Sequence, residues 1–199
     1  IPANGNILFH DGDENIMNLI DMGCWSNTHK LGSEENIKFS IEEGIIHFEG
    51  LQFDLRELPI HGKHNLNNVV MAMYTSFLHG VDPKKSFLAL KNSNGVKRRF
   101  ETVFQNNDKI VIDDFAHHPT AITYTVEAAT SHFSSKKIVG IVELASNTMS
   151  QGHHGLELYD SAPGLEQVYW LNLSTKKNQD FEYDSINLLL EDLKKDIDN

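Results

Sequence analysis

The sequence predicts an α/β fold whose second half is built on a parallel sheet of Rossmann type. Two continuous apolar runs, residues 138–142 and 168–171, are typical of strands that are buried on both faces. A third run, residues 110–112, leads into two carboxylates and then into Pro119, which suits the first turn of a helix. Because strands alternate with helical segments along this half, we expect parallel strands joined by helical crossovers.

The composition is that of a globular protein with enough apolar residues for one large or two small cores. Of the 199 residues, 40% are apolar and 23% are charged. The net charge of −11 argues against a nucleic-acid partner, whose phosphates require a basic face. No apolar stretch approaches the roughly 20 residues that span a bilayer, so no membrane partner is predicted. The single cysteine, Cys24, excludes an internal disulfide and fits a cytoplasmic protein.

The first half of the chain is predicted to contain short strands and three helices. The elements expected are a strand at residues 7–9, a helix at 14–22, a hairpin of 39–41 with 45–48 around a glycine turn, and helices at 65–80 and from 82 onward. Asp82 and Pro83 suit the N-cap and the first turn of the last helix. Phe87, Leu88 and Leu90 are expected on its apolar face.

A polar, turn-forming segment at residues 92–95 is the predicted boundary between two domains, residues 1–92 and 93–199. The elements expected after it are strands at 100–104 and 110–112, a helix from Pro119, strands at 138–142 and 168–171, and a helix at 186–193.

Two carboxylates and two imidazoles follow the strand at residues 110–112, in the order Asp113-Asp114-Phe115-Ala116-His117-His118-Pro119. Polar side chains at the carboxyl end of a strand in an α/β sheet lie where ligands bind. A carboxylate there can hold ribose hydroxyls or a water of a magnesium ion, and the histidines can contact phosphate or orient a substrate. The alternative is an acidic strand end followed by an N-capped helix.

The densest basic cluster of this acidic chain is Lys97-Arg98-Arg99, which leads into the strand at residues 100–104. Guanidinium groups suit phosphate and ribose oxygens. Because side chains alternate along a strand, Arg98 and Arg99 are predicted to face opposite sides, so that only one of them points at a given ligand. Taken alone, a solvated basic turn is the favoured interpretation.

Two further polar segments lie where ligands bind. His61-Gly62-Lys63-His64-Asn65-Leu66-Asn67-Asn68 stands at the amino end of a helix that begins near Asn65, where asparagine can pair with an edge of adenine. The favoured alternative there is a polar N-cap. Glu143-Leu144-Ala145-Ser146-Asn147-Thr148-Met149 follows the strand at residues 138–142. Its Ser146, Asn147 and Thr148 either bind a carboxylate or amide of a substrate or cap the next helix.

Three close pairs of histidines raise the alternative of a transition-metal site. The pairs are His61 with His64, His117 with His118, and His153 with His154. Adjacent histidines on an extended chain point to opposite sides, and no cysteine accompanies them, so zinc is disfavoured. No residue is predicted to be a metal ligand.

Together these segments resemble the Mur ligases, the ATP-dependent amide-forming ligases of bacterial cell-wall synthesis. Residues 62–68 resemble a motif of the family's central domain, and residues 95–101 and 113–119 resemble motifs of its carboxy-terminal domain. Residues 120–122 and 146–149 are most similar to the branch that joins L-alanyl-γ-D-glutamyl-meso-diaminopimelate to UDP-N-acetylmuramate in peptidoglycan recycling. The alternatives are the branch that adds L-alanine to UDP-N-acetylmuramate and a non-catalytic nucleotide- or peptide-binding module.

The resemblance implies roles for individual residues. The implied nucleotide-binding residues are His64, Asn65, Asn68, Arg99 and Asp114, with Asn68 on the adenine. The implied catalytic residues are His117 and His118, and the implied substrate-binding residues are Ser146, Asn147 and Thr148. The resemblance also implies that ATP and Mg²⁺ activate the muramoyl carboxylate as an acyl phosphate, from which the peptide amine displaces phosphate.

The chain departs from the family's pattern in three places. It contains no Gly-Lys-Thr phosphate loop and no upstream groups for Mg²⁺, both of which we expect before residue 1. It ends without the family's Ser-Asn-Gly-Gly-Phe segment, and Leu144-Ala145 stands where the tripeptide branch has Pro-Arg. We therefore expect the end of a central ATPase domain at residues 1–92 and most of a Rossmann-like carboxy-terminal domain at residues 93–199. Without the phosphate loop, this part of the enzyme is expected to be inactive by itself.

Overall fold

The computed structural model describes residues 2–34, 37–40, 43–174 and 177–197. The chain divides into two compact units, Ile1–Val96 and Lys97–Asn199, which are called unit 1 and unit 2 below. Both units combine strands with helices, which confirms the predicted α/β class. Within the described ranges, no helix has both the length and the apolar character that crossing a bilayer requires.

Unit 1 contains a parallel strand pair and an antiparallel four-stranded sheet. Its strands are β1 (Asn6–His10), β2 (Asn27–Leu31), β3 (Ser33–Glu34), β4 (Ile37–Ser40), β5 (Ile45–Phe48) and β6 (Leu51–Asp54). Helix α1 (Glu14–Asp21) connects β1 to its parallel partner β2, and β3 to β6 pair in chain order. The β4–β5 pairing confirms the predicted hairpin, of which residues 41 and 42 lie outside the described part.

Two further helices, α2 (Lys63–Leu78) and α3 (Pro83–Lys91), pack against the four-stranded sheet of unit 1. The fully buried members of this core include Leu31, Ile46, Phe48, Leu55, Val70 and Met73. Asp82 accepts the N–H of Lys84, and Pro83 lies in the first turn, which confirms the predicted start of α3. The predicted core position of Leu88 is wrong, because this side chain is 57% exposed while its neighbour Phe87 faces the core.

The described residues of unit 2 form one parallel and one antiparallel pair of strands. Its elements are β7 (Glu101–Gln105), β8 (Ile110–Asp113), α4 (Pro119–His132), β9 (Val139–Glu143), α5 (Asn147–Ser150), a 3₁₀ helix (Gly155–Ser161), β10 (Gln167–Leu171) and α6 (Ile186–Ile197). The parallel pair is β9 with β10, and the intervening segment carries α5 and the 3₁₀ helix. β8 pairs antiparallel with β7, because a short turn returns the chain directly onto its predecessor.

The strand that is buried on both faces is β10 rather than β9. Tyr169 packs with Leu189 on one face of β10, and Trp170 belongs to the core on the other face, which includes Ile122. On β9, Ile141 is 54% exposed, so the prediction that residues 138–142 are buried on both faces is wrong. An apolar run favours burial, but the elements packed on each face decide whether it occurs.

Candidate functional site

The basic cluster of unit 2 lies in a turn before β7 rather than on the strand. β7 begins at Glu101, and the φ angles of Arg98 and Phe100 are 57° and 55°. These left-handed conformations end the strand alternation, so the prediction that Arg98 and Arg99 alternate along a strand is wrong. A non-glycine residue held in this region costs on the order of 1–3 kcal/mol and persists only where its surroundings hold it.

The two arginines of this turn have different surroundings. The Nε of Arg98 lies 3.4 Å from the carboxylate of Asp113, and its guanidinium carbon lies 4.8 Å from the ring centre of Phe115. Its backbone N–H donates to the carboxylate of Glu101 at 2.8 Å. Arg99 is exposed and forms no hydrogen bond or ion pair with the residues that the structure describes. Arg99 is therefore the arginine whose guanidinium is available to a ligand.

Asp114 joins the basic turn to the loop that follows β8. Its Oδ2 accepts the N–H of Phe100 at 2.8 Å, and its Oδ1 accepts the N–H of Ala116 at 2.9 Å. The N–H of Phe115 also donates to the carbonyl oxygen of Arg98 at 2.8 Å. The half-buried carboxylate thus fixes the turn from which Arg99 projects, and its remaining lone pairs can accept hydroxyl groups of a ligand.

His117 and His118 use their Nδ1 atoms in opposite ways. The Nδ1 of His117 lies 2.9 Å from the carbonyl oxygen of Phe115, which only accepts, so Nδ1 carries the proton and Nε2 a lone pair in the neutral ring. The N–H of Thr120 donates to the Nδ1 of His118 at 3.3 Å, which puts the proton of neutral His118 on Nε2. Both rings are exposed. His117 therefore offers an acceptor to a ligand, and His118 offers a donor.

The start of α4 brings two histidine pairs together in space. His118 is the N-cap of α4, and Pro119 lies in the first turn, where the sequence predicted it. The ring of His118 packs edge-on against that of His154, with 4.8 Å between the ring centres. The Nε2 of His154 is buried without a hydrogen-bond partner in the described part of the chain. In that same part, no three His, Cys, Asp or Glu side chains converge to hold a metal ion.

A cavity of about 260 Å³ opens between the first turns of α4 and the 3₁₀ helix. Thr120 and Tyr124 of α4 and Glu157 and Asp160 of the 3₁₀ helix line it. The two carboxylates make the cavity acidic, so it suits hydroxyl or ammonium groups better than the phosphates of a nucleotide.

Helix α5 carries the predicted substrate-binding residues directly after β9. Ser146 is its N-cap, since its Oγ accepts the N–H of Met149 at 3.3 Å; it also lies 3.2 Å from the Oγ1 of Thr148. Asn147 and Thr148 are exposed, whereas the Met149 side chain is fully buried and holds the turn on the core. The capping role predicted as an alternative is thus filled by Ser146, and Asn147 and Thr148 remain accessible to a ligand.

Helix α2 of unit 1 begins earlier than predicted. Gly62, with a φ of 89°, precedes the first turn, so Asn65 lies inside the helix and is not its N-cap. The buried Asn65 side chain donates from Nδ2 to the carbonyl oxygen of His61 at 2.8 Å. His64 is half-buried, and Asn68 is exposed without a hydrogen bond to the described residues. Asn68 therefore has the amide that a ligand can reach, while Asn65 shapes the turn.

The sequence analysis missed a buried polar cluster in unit 2. Glu182 is only 2% exposed, and it accepts hydrogen bonds from Tyr159, from Asn172 at 2.8 Å and from the N–H of Asn178 at 2.9 Å. Glu182 stands in a polar segment that is typical of a solvated loop. No local signal distinguishes it, because its burial depends on elements that are distant in the sequence.

The chain is similar to several known proteins. Residues 98–182 match the Mur ligase, glutamate ligase domain family. Over 177 residues the chain is 29% identical to the UDP-N-acetylmuramate–L-alanyl-γ-D-glutamyl-meso-2,6-diaminoheptandioate ligase of Escherichia coli (strain K12), covering 86% of this chain and 39% of the relative. Over 87 residues it is 45% identical to the UDP-N-acetylmuramate–L-alanine ligase of Streptococcus pyogenes serotype M28, covering 43% of this chain and 19% of the relative. The crystal structure of a murein peptide ligase from Psychrobacter arcticus 273-4 matches with a TM-score of 0.65 at 29% identity, covering 86% of this chain and 38% of that one.

Residues 98–182 are similar to the glutamate ligase domain of the Mur ligases, and these residues lie in unit 2. The chain is similar to a murein tripeptide ligase over 86% of its length, which confirms the resemblance that the motifs predicted. Because unit 2 is only about half of the chain, this match extends well into unit 1. The chain spans 39% of the length of the Escherichia coli relative.

Proposed function

We propose that this chain is part of an ATP-dependent ligase that joins L-alanyl-γ-D-glutamyl-meso-diaminopimelate to UDP-N-acetylmuramate in peptidoglycan recycling. The observation that carries the proposal is the similarity to a tripeptide ligase over 86% of the chain. The similarity to the L-alanine ligase has the higher identity but covers only 43% of the chain. We assign residues 1–92 to the end of the central ATPase domain and residues 93–199 to the carboxy-terminal domain of a cytoplasmic enzyme.

The proposed reaction forms an amide bond in two displacements. An oxygen of the muramoyl carboxylate attacks the γ-phosphorus of ATP, and ADP leaves with the electron pair of the broken bond. The amine of the tripeptide then attacks the acyl carbon, inorganic phosphate leaves, and the nitrogen loses a proton. The two displacements need donors that hold phosphate oxygens and an acceptor for that proton.

We assign roles in nucleotide binding to Arg99 and Asp114 of unit 2 and to Asn68 of unit 1. The exposed guanidinium of Arg99 suits the phosphate and ribose oxygens. Asp114 fixes the turn of Arg99 and can accept ribose hydroxyls with its remaining lone pairs. The exposed amide of Asn68 supplies the donor and acceptor that an adenine edge requires, Asn65 holds the helical turn, and the half-buried His64 lies in the same turn.

The two histidines are assigned different catalytic roles because their free nitrogens differ. The Nε2 lone pair of His117 suits the proton that the attacking amine loses. The Nε2–H of His118 suits an oxygen of the transferred phosphate, whose negative charge it would stabilise. The hydrogen bonds at Nδ1 support both assignments.

The tripeptide side is assigned to Asn147 and Thr148, with Ser146 holding the turn. These side chains offer hydroxyl and amide groups to a peptide carboxylate or amide. Ala145, which precedes them, is exposed and stands where the resemblance implies an arginine. This chain lacks that positive charge, so we expect it to bind the tripeptide less tightly than a relative with arginine at the position.

The described residues do not fit a magnesium site. Asp113 is paired with Arg98, both oxygens of Asp114 accept backbone N–H groups, and no third ligand joins them among the residues described. Mg²⁺ takes an octahedron of oxygens in which one or two carboxylates join waters and substrate phosphates, and both carboxylates here already bind protein partners. We therefore assign neither the metal nor the phosphate loop to this part of the protein and derive no step through the metal.

A phosphate-release assay of the complete ligase tests the proposed function. In the presence of ATP and UDP-N-acetylmuramate, adding the tripeptide should release phosphate, whereas L-alanine should release far less. The reverse preference would assign the chain to the alanine-adding branch. Nucleotide binding without phosphate release for either acceptor would instead support a non-catalytic binding module.

A further inference from the structure

A side chain from outside helix α5 holds the end of its single turn. Four residues, Asn147–Ser150, are too few for a helix that is stable by its own hydrogen bonds. The Nδ2 of Asn178 donates to the carbonyl oxygens of Met149 and Ser150, at 3.3 Å and 3.1 Å. The Ser146 cap therefore fixes one end of the turn, and Asn178 fixes the other end.

Asn178 is positioned in turn by the buried carboxylate of Glu182. Oε2 of Glu182 accepts the N–H of Asn178 at 2.9 Å and the Nδ2 of Asn172 at 2.8 Å, and Oε1 accepts the hydroxyl of Tyr159. Three donors compensate the loss of water around this buried charge. Burial and the bond to Glu182 raise the pKa of Tyr159 well above its usual range, so the phenol remains a donor.

Gly152 leaves the space that Asn178 occupies. Its φ is +74°, and a Cβ at this position would lie 2.9 Å from the Oδ1 of Asn178. Its N–H donates to the carbonyl oxygen of Met149 at 3.1 Å, beside the bond from Asn178. A side chain at Gly152 would therefore push Asn178 away from α5 without removing any member of the cluster.

We propose that Asn178 and Glu182 are positioning residues for the tripeptide, because they hold α5 in the orientation that presents Asn147 and Thr148. The inference rests on the proposed function, which assigns these two exposed residues to the tripeptide. Among the described residues, the hydrogen bonds of the cluster lead to the backbone of α5 and to no residue assigned to the nucleotide. Disrupting the cluster should therefore weaken binding of the tripeptide and leave binding of the nucleotide unchanged.

The test compares Asn178→Ala with Asn106→Ala in the complete ligase. Asn106 accepts two backbone N–H groups, of Asp108 and Lys109, in the β7–β8 turn, so both variants lose two bonds between a side chain and the main chain. Asn178→Ala should raise the tripeptide KM by about tenfold and leave the ATP KM unchanged. Asn106→Ala should leave both KM values unchanged, although its melting temperature also falls.

Two further variants separate the possible outcomes. Gly152→Ala should reproduce the rise in tripeptide KM, because it displaces Asn178 from the other side. If Asn147→Ala raises the tripeptide KM but Asn178→Ala and Gly152→Ala only lower the melting temperature, the positioning role is refuted and the proposed function stands. If Asn147→Ala also leaves the tripeptide KM unchanged, the assignment of α5 to the tripeptide fails, and the positioning role fails with it.

Discussion

Replacing Asp114 by alanine should destabilise unit 2 far more than the same change at its neighbour Asp113. Asp114 accepts two main-chain N–H groups, from Phe100 at 2.8 Å and Ala116 at 2.9 Å, and so holds a residue whose φ is 55°. A hydrogen bond to a charged group contributes about 1.5–3 kcal/mol, and water replaces part of it at a half-buried site. We expect Asp114→Ala to lower the free energy of unfolding of unit 2 by about 2–4 kcal/mol.

Asp113 is the matched control, because it has the same side chain and a different partner. Among the described residues its carboxylate pairs with Arg98 alone, at 3.4 Å, and both side chains are substantially exposed. Exposed ion pairs contribute about 0–1 kcal/mol, so Asp113→Ala should lower the free energy of unfolding by less than about 1 kcal/mol.

Urea unfolding followed by tryptophan fluorescence measures the free energy of unfolding of unit 2 for both variants. Trp170 is buried in unit 2 and Trp25 is exposed in unit 1, so a Trp25→Phe background leaves one reporter in the correct unit. If Asp113→Ala and Asp114→Ala lower the free energy of unfolding equally, the two backbone hydrogen bonds that Asp114 accepts do not hold the turn, and the expectation is refuted.

Three further outcomes follow from the site and the cores. In the complete ligase, Arg99→Ala should raise the ATP KM by roughly ten- to hundredfold, whereas Arg98→Ala should mainly lower the melting temperature; equal effects on the ATP KM would contradict the different roles. Calorimetry of the 199-residue chain, which contains no Gly-Lys-Thr loop, should give weak and similar Kd values for ATP and ADP, and tight magnesium-dependent selectivity for ATP would overturn this. Burial and the hydrogen bond to Asp196 raise the pKa of Tyr169 to about 12 from 10.0, so its contribution to stability is complete below pH 10 and is lost as the pH rises towards 12. Tyr169→Phe should therefore reduce the loss of stability of unit 2 between pH 10 and pH 12. If urea unfolding gives the same dependence of the free energy of unfolding on pH for the variant, this role of Tyr169 is wrong.

The elements that the sequence predicts best are those whose signals are local. Asp82 caps α3, and Pro83 and Pro119 lie in the first turns of α3 and α4 as expected, because a cap or a proline acts on groups only a few residues away. The hairpin of β4 and β5 is likewise set by a turn between neighbouring segments. The motif at residues 113–119 predicted the similarity to Mur ligases for the same reason, since its order along the chain is itself the signal, and it lies within the residues that match the family.

The properties that only the tertiary structure decided depend on contacts between distant residues. The sequence presents Arg98 and Arg99 as equals, and the structure engages one through Phe115 and Asp113 while the other remains exposed. Apolar runs at β9 and β10 are similar in the sequence, yet only β10 is covered on both faces.

Glu182 is the clearest case of this difference. The sequence analysis made no prediction for this residue, and its burial follows from Tyr159 and Asn172, which packing of the chain brings to it. Local patterns record which conformations a segment prefers. Burial and hydrogen-bond partners are instead properties of the packed chain, because water is excluded only where segments that are far apart in the sequence meet.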